Sequence, residues 1–194
     1  QAEKVVAHAK KHRFSVNCLG DVFDTFSNDE KTILQGSKLI QECELTLAGN
    51  HDVSNKIGDI GSLKMLEELE EVYVKVLISP DPGKPYFACK RLGCVMAYAI
   101  PHCLTQEIFV ESVKLACAKA SEGEDSNILL LHCNVGDGIV GNVEDGGSSL
   151  WLTEELQELT LTCFEKILVG HEHLPRQLHQ GRLVVLGNTF PVSY

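Results

Sequence analysis

Apolar residues recur along this chain with two periods. Residues 2–12 space them as an amphipathic helix does, and the run 14–19 that follows reads as a buried strand. Asn28-Asp29-Glu30-Lys31 opens a second helix, with Asn28 as its cap and Ile33, Leu34, Ser37, Leu39 and Ile40 as its buried stripe. Residues 45–48 form the next strand. Ser62 caps a helix over 63–70, and the β-branched run 72–78 ends it. Pro80-Asp81-Pro82-Gly83 is a turn, and 87–92 with 94–100 form a hairpin around Gly93. A helix over 105–120 and a polar loop lead to the apolar strand 127–131, which delivers His132. Residues 134–149 are glycine-rich and read as a long loop over a cleft. A short helix over 152–159 and strands over 164–169 and 182–186 complete the pattern. Strands alternating with helices of this length predict a single layered α/β domain over 1–194, without internal repeats.

Composition adds a few bounds. The apolar share is 44%, and no run approaches the roughly 18 apolar residues that a membrane span needs. No signal peptide is visible, because the first residues read as a helix. Eight cysteines show no CxxC pair and no regular framework. Cys18, Cys43, Cys94, Cys117, Cys133 and Cys163 lie in or beside apolar runs, as small hydrophobes do. A reducing, cytoplasmic location follows as the expectation. Net charge is −10, which counts against a nucleic-acid partner. Bound divalent cations would offset it where a phosphate must sit. The acidic runs at 67–71 and 154–158 read as solvated helix faces.

The chemistry lies just past the strands. Gly20-Asp21-Val22-Phe23-Asp24, Gly49-Asn50-His51-Asp52 and Gly170-His171-Glu172-His173 each follow an apolar run. Strand ends are where a scaffold presents polar groups to a common cleft. Two divalent cations about 3.5–4 Å apart can clamp the attacking and leaving oxygens of a phosphate ester. Asp21 suits the bridging anion, and Asn50, His171 and His173 suit the remaining positions. The donors are carboxylate, carbonyl and imidazole, which suits Mn, Fe or Zn without any thiolate. His51, beside a ligand, is placed to protonate a leaving oxygen. His171 and His173 are two apart, so on extended backbone both face one way.

These motifs, in this order, resemble the calcineurin-like metallophosphoesterase superfamily. About thirty residues separate GDVFD from GNHD; the segment around Ala99-Ile100-Pro101 follows, then His132, GHEH and 181–188. That layout is most similar to the nuclease subunits of SbcCD-type DNA repair complexes, particularly their compact bacteriophage versions. The resemblance implies a metallophosphoesterase sandwich of two mixed β-sheets flanked by helices. It implies two metal ions, manganese first and Fe, Zn or Mg as alternatives. Asp21 would bridge them, with Asn50, His132, His171 and His173 as further ligands. His51 would be the catalytic acid, and Asp24 and Asp52 would support the ligands from behind. DNA, an SbcC-like ATPase and a second copy of the chain would be the partners, in the cytoplasm of a host cell for a phage protein.

The chain departs from the family's pattern at its start, where no DxH motif precedes GDVFD. The domain is therefore expected to lack its first strand and any C-terminal capping region. Three other functions compete: a phosphoesterase for a small molecule, one for a phosphoprotein, and a metal-poor structural subunit. His132-Cys133-Asn134-Val135-Gly136 also imitates the cysteine-phosphatase loop HCxxGxxR, but Ile139 stands where its arginine belongs. His102 reads as peripheral, and His8, His12 and His179 as surface groups.

Overall fold

The computed structural model describes residues 2–53, 61–68, 76–81, 83–123, 125–136 and 150–187. The glycine-rich run over 137–149, most of the β-branched run over 72–78, Pro82, Ile139 and Asn188 lie outside the described residues.

Helix α1 (Ala2–His12) leads into strand β1 (Asn17–Leu19), shorter than the apolar run around it. Helix α2 (Glu30–Glu42) is capped by Asp29, whose carboxylate accepts the Thr32 N–H at 2.7 Å. That puts a negative charge on the positive end of the helix dipole. Asn28, the expected cap, instead gives its main-chain N–H and its amide to Ser62 Oγ. Ser62 was the other expected cap, but it opens helix α3 (Ser62–Glu67) behind Gly61. The two polar groups meet each other across the fold instead of capping their own helices. The α2 stripe also rotates: Gly36 and Ile40 are buried, while Leu34 is 57% exposed.

Strands β2 (Leu45–Leu47) and β3 (Val76–Leu77) join β1 in a parallel sheet of order β1-β2-β3. The hairpin of β4 (Ala88–Leu92) and β5 (Val95–Ile100) turns through Gly93, whose φ is +61. Helix α4 (Gln106–Ala120) is capped by Thr105. Strand β6 (Ser126–Val135) runs four residues past the expected stretch, so His132 lies within it. Leu152 belongs to a strand, β7 (Trp151–Leu152), and helix α5 (Glu154–Cys163) begins after the capping Thr153. Then come β8 (Lys166–His171), β9 (Arg176–Leu178), a 3-10 turn over His179–Gly181 and β10 (Leu183–Val185).

These later strands form a second sheet of order β4-β5-β6-β8-β10-β9, with β7 pairing the end of β6. Strands β5, β6, β8 and β10 are parallel, and the edges β4 and β9 are antiparallel. The expectation of two mixed sheets holds for this one only, because the described strands of the first are all parallel.

Side-chain alternation sets the layers. Ala97, Ala99 and Leu130 face Leu19, Leu45, Leu47 and Leu77 between the sheets. Tyr98, Ile100, Leu129 and Leu131 face the other way, against Phe109 and Val113 of α4 and Phe164 beyond α5. On the outer side of the first sheet, Ile40, Leu63 and Leu66 of α2 and α3 pack with Phe23, Ala48 and Val76. The small side chains of Ala97 and Ala99 let the two sheets approach. Among the described residues no helix is long and apolar enough to cross a membrane. All eight cysteines are free; Cys89 and Cys94 are exposed in the hairpin, and Cys43, Cys103, Cys117 and Cys133 are buried.

Candidate metal centre

Four of the predicted donors meet where the two sheets come together. Asp21 follows β1, Asn50 follows β2, His132 lies near the end of β6, and His171 ends β8. His132 pairs in register with Gly170, one residue before His171. A Cβ on Gly170 would collide with the Leu19 carbonyl oxygen, so only glycine lets β8 approach the end of β1 this closely. Asp21 and His171 both hold positive φ, 51 and 89. Strained backbone of this kind gathers at sites where side-chain direction matters more than local stability.

The His132 ring is 2% exposed, and its Nδ1 donates to the Leu19 carbonyl at 2.6 Å. A carbonyl only accepts, so Nδ1 carries the hydrogen. At the opposite nitrogen, Nε2, two more acceptors converge: Asn50 Oδ1 at 3.0 Å and Asp21 Oδ2 at 3.2 Å. The His171 ring stands edge-on to His132, with centroids 5.0 Å apart. One ligand atom each from Asp21, His132 and His171 all lie within 4.8 Å of one another. Lone pairs pointed at one another need a cation between them. A proton on Nε2 or a metal ion meets that need, and two nitrogens with two oxygens suit Mn, Fe or Zn.

The electrostatics follow. Burial disfavours a charge on His132, but the hydrogen bond to Asp21 and its charge outweigh burial and raise the pKa. Burial likewise pushes Asp21 up, yet His132 and the His51 main-chain N–H hold it below the usual carboxylate range. His171 is lowered to about 4, first by burial and then by His132.

Asp52 anchors the two acidic loops. Its carboxylate is 2% exposed and accepts from Gly49 N at 2.9 Å, Phe23 N at 3.1 Å and Val22 N at 3.2 Å. It thereby ties the Asp21 loop to the Asn50 loop. Burial pushes it up to about 6 against the pull of those donors. In Asp52→Asn, an amide hydrogen would face a main-chain N–H. This variant is expected to lose about 1–3 kcal/mol of stability. It should also bind manganese about 10–100-fold more weakly. Thermal unfolding and metal titration check both.

The remaining predicted residues are placed as follows. His51 is exposed, and its main-chain N–H donates to Asp21 Oδ1 at 3.2 Å. Asp24, expected to support the loop, is exposed, and the support comes from Asp52. His173 is exposed and outside the converging group, although its charge acts on His171. The expectation that both histidines face one way assumed extended backbone, and the positive φ of His171 ends the alternation there. Glu172 then turns inward. It accepts the Val135 N–H at 2.5 Å and pairs with Arg176 at 2.9 Å, which clamps the loop to β6.

His102, expected to be peripheral, is buried and lies outside the converging group. It is 7% exposed, and burial, then His132 and His171, lower its pKa to about 3. Cys133 is fully buried, and burial followed by the Glu172 charge raises its thiol, the reverse of an activated nucleophile. Cys133→Ser is therefore expected to leave metal uptake and any hydrolysis within about twofold of the parent. Loss of turnover with metal retained would revive the cysteine chemistry.

Comparison of the chain with protein-family models and with curated proteins returns no match in either case.

Proposed function

We propose that this chain is a metal-dependent phosphodiesterase of the calcineurin-like type, with DNA as its substrate and an SbcC-like ATPase and a second copy of itself as partners. One observation carries the metal-centre part of this reading. Three motifs far apart in sequence, together with His132, bring four lone-pair donors to one point, with a carboxylate among them. The order of those motifs, and two helix-flanked sheets with the donors at strand ends, support the metallophosphoesterase sandwich. The choice of DNA and of partners rests on the motif layout alone. Free cysteines fit a reducing cytoplasm.

Asp21, Asn50, His132 and His171 would hold one ion, and Asp21 with His173 would contribute to a second. Such ions neutralise phosphoryl charge and make water a nucleophile near neutral pH. The chain's own residues do the rest. Leu19 holds His132 in the tautomer whose Nε2 is a ligand, Asp52 fixes the loops, and the exposed His51 can reach a leaving oxygen.

The deciding experiment compares manganese-dependent degradation of linear DNA with hydrolysis of bis-p-nitrophenyl phosphate, alongside metal content. Cleavage of both substrates is the expected result. Hydrolysis of the small ester alone would favour the second reading, a small-molecule phosphoesterase, to which the net charge of −10 already points. Absence of metal uptake would sink both.

A further inference from the structure

Strand β6 sets the direction of each side chain along its length. Leu129, Leu131, Cys133 and Val135 lie on its helix side, in one cluster with Leu150 and Leu152. Leu130 lies on the opposite face, between the sheets. His132 shares that face, and its ring meets the Leu19 carbonyl and Asn50. Asn134 is the next residue of the same row. Its backbone is held in the strand: the N–H donates to the Leu150 carbonyl at 2.8 Å, and the residue pairs in register with Trp151. The side chain therefore stands beside His132, a step of roughly 6.6 Å farther along the strand. Cys133 pairs in register with His171 on β8, so Asn134 also lies one residue past that predicted ligand.

Asn134 is 5% exposed, and its Nδ2 is buried without a hydrogen-bond partner among the described residues. An unpaired buried N–H is destabilising, and in a native fold it calls for an explanation. The atoms that converge at the centre present lone pairs, which suit a cation. An anion bound over that cation needs N–H groups for its outer oxygens. The Asn134 amide has the polarity for this, on the right face and past the last ligand of β6.

We propose that Asn134 is a substrate-contacting residue of this centre, donating an N–H of Nδ2 to a phosphoryl oxygen. The proposal rests on reading the centre as a phosphoester site, and it adds a group that holds the substrate's oxygen while the ion is left to the other residues.

The test titrates inorganic phosphate calorimetrically into the manganese-loaded protein. Manganese content, and thermal unfolding without phosphate, are measured in parallel. Asn134→Leu keeps the size of the side chain and removes the N–H. It is expected to hold the parent's manganese and to bind phosphate about 10–100-fold more weakly, the usual scale for a hydrogen bond to a charged group. It should also unfold no lower in temperature than the parent, because the unpaired buried group is gone. Asn134→Gln, which keeps an N–H, should recover part of the phosphate affinity. If Asn134→Leu does not fold, Asn134→Ala takes its place, read by phosphate affinity and manganese content. Where the parent binds phosphate, unchanged affinity in the variant overturns this proposal alone, and a lower unfolding temperature beside it marks a structural asparagine. Lower manganese content in a folded variant also overturns it, because Asn134 would then serve the ion. If the parent itself takes up no manganese, or takes it up without binding phosphate, the reading of the centre fails and the proposal falls with it.

Discussion

Asp21→Asn is expected to cut manganese binding to background and to abolish hydrolysis, with the fold intact. The carboxylate is the single anion among the donors that converge on His132 Nε2. Without it, three neutral groups would face a divalent cation. An asparagine can also turn its amide hydrogen toward Nε2 and satisfy the lone pair that the ion needs. The variant would then be stable without metal and poor at binding it. Elemental analysis and thermal unfolding together check this outcome. Retained manganese uptake would remove Asp21 from the ligand set.

The same pair gives the metal-free parent a pH signature. The pKa of His132 is raised in the fold, so its contribution is full below the ordinary imidazole value and fades as pH rises through the raised one. Asp21 is lowered, so its contribution is lost as pH falls through its own pKa. The pair therefore stabilises the metal-free fold most between those two values, and Asp21→Asn should flatten that maximum. Metal works in the opposite sense, because protons compete for Nε2, so manganese affinity should rise with pH over the range where His132 deprotonates.

What the sequence made legible was the set of strand ends. Apolar runs before Gly20-Asp21, Gly49-Asn50, His132 and Gly170-His171 are local signals, and the structure brings these residues to one place. The failures arise where a distant residue decides. Strands β7 and β9 have two and three residues, too few for periodicity to register, and exist because β6 and β10 offer paired edges. Asn28 and Ser62 have capping chemistry, but each finds the other across 34 residues. The tautomer of His132 depends on a carbonyl 113 residues away. The burial of His102 was not legible, because an isolated histidine after a strand looks ordinary until its neighbours are known. The direction of His173 was not legible, because it lies two residues beyond the strand that justifies the alternation rule.

His51→Ser should separate proton transfer from metal binding. The bond from His51 to Asp21 comes from the main-chain N–H, which the substitution leaves in place. The imidazole itself is exposed beside the centre, where a serine removes the proton donor without opening a cavity. Manganese content should therefore match the parent, while DNA cleavage falls about 10²–10⁴-fold. The loss should depend on the leaving group. A DNA alkoxide needs a proton as the bond to phosphorus breaks, whereas p-nitrophenolate departs readily without one. Hydrolysis of bis-p-nitrophenyl phosphate should then fall far less than DNA cleavage. Equal losses on both substrates would mean that His51 only positions the ligand, and loss of manganese would make it a metal ligand; either outcome removes the acid role assigned to it.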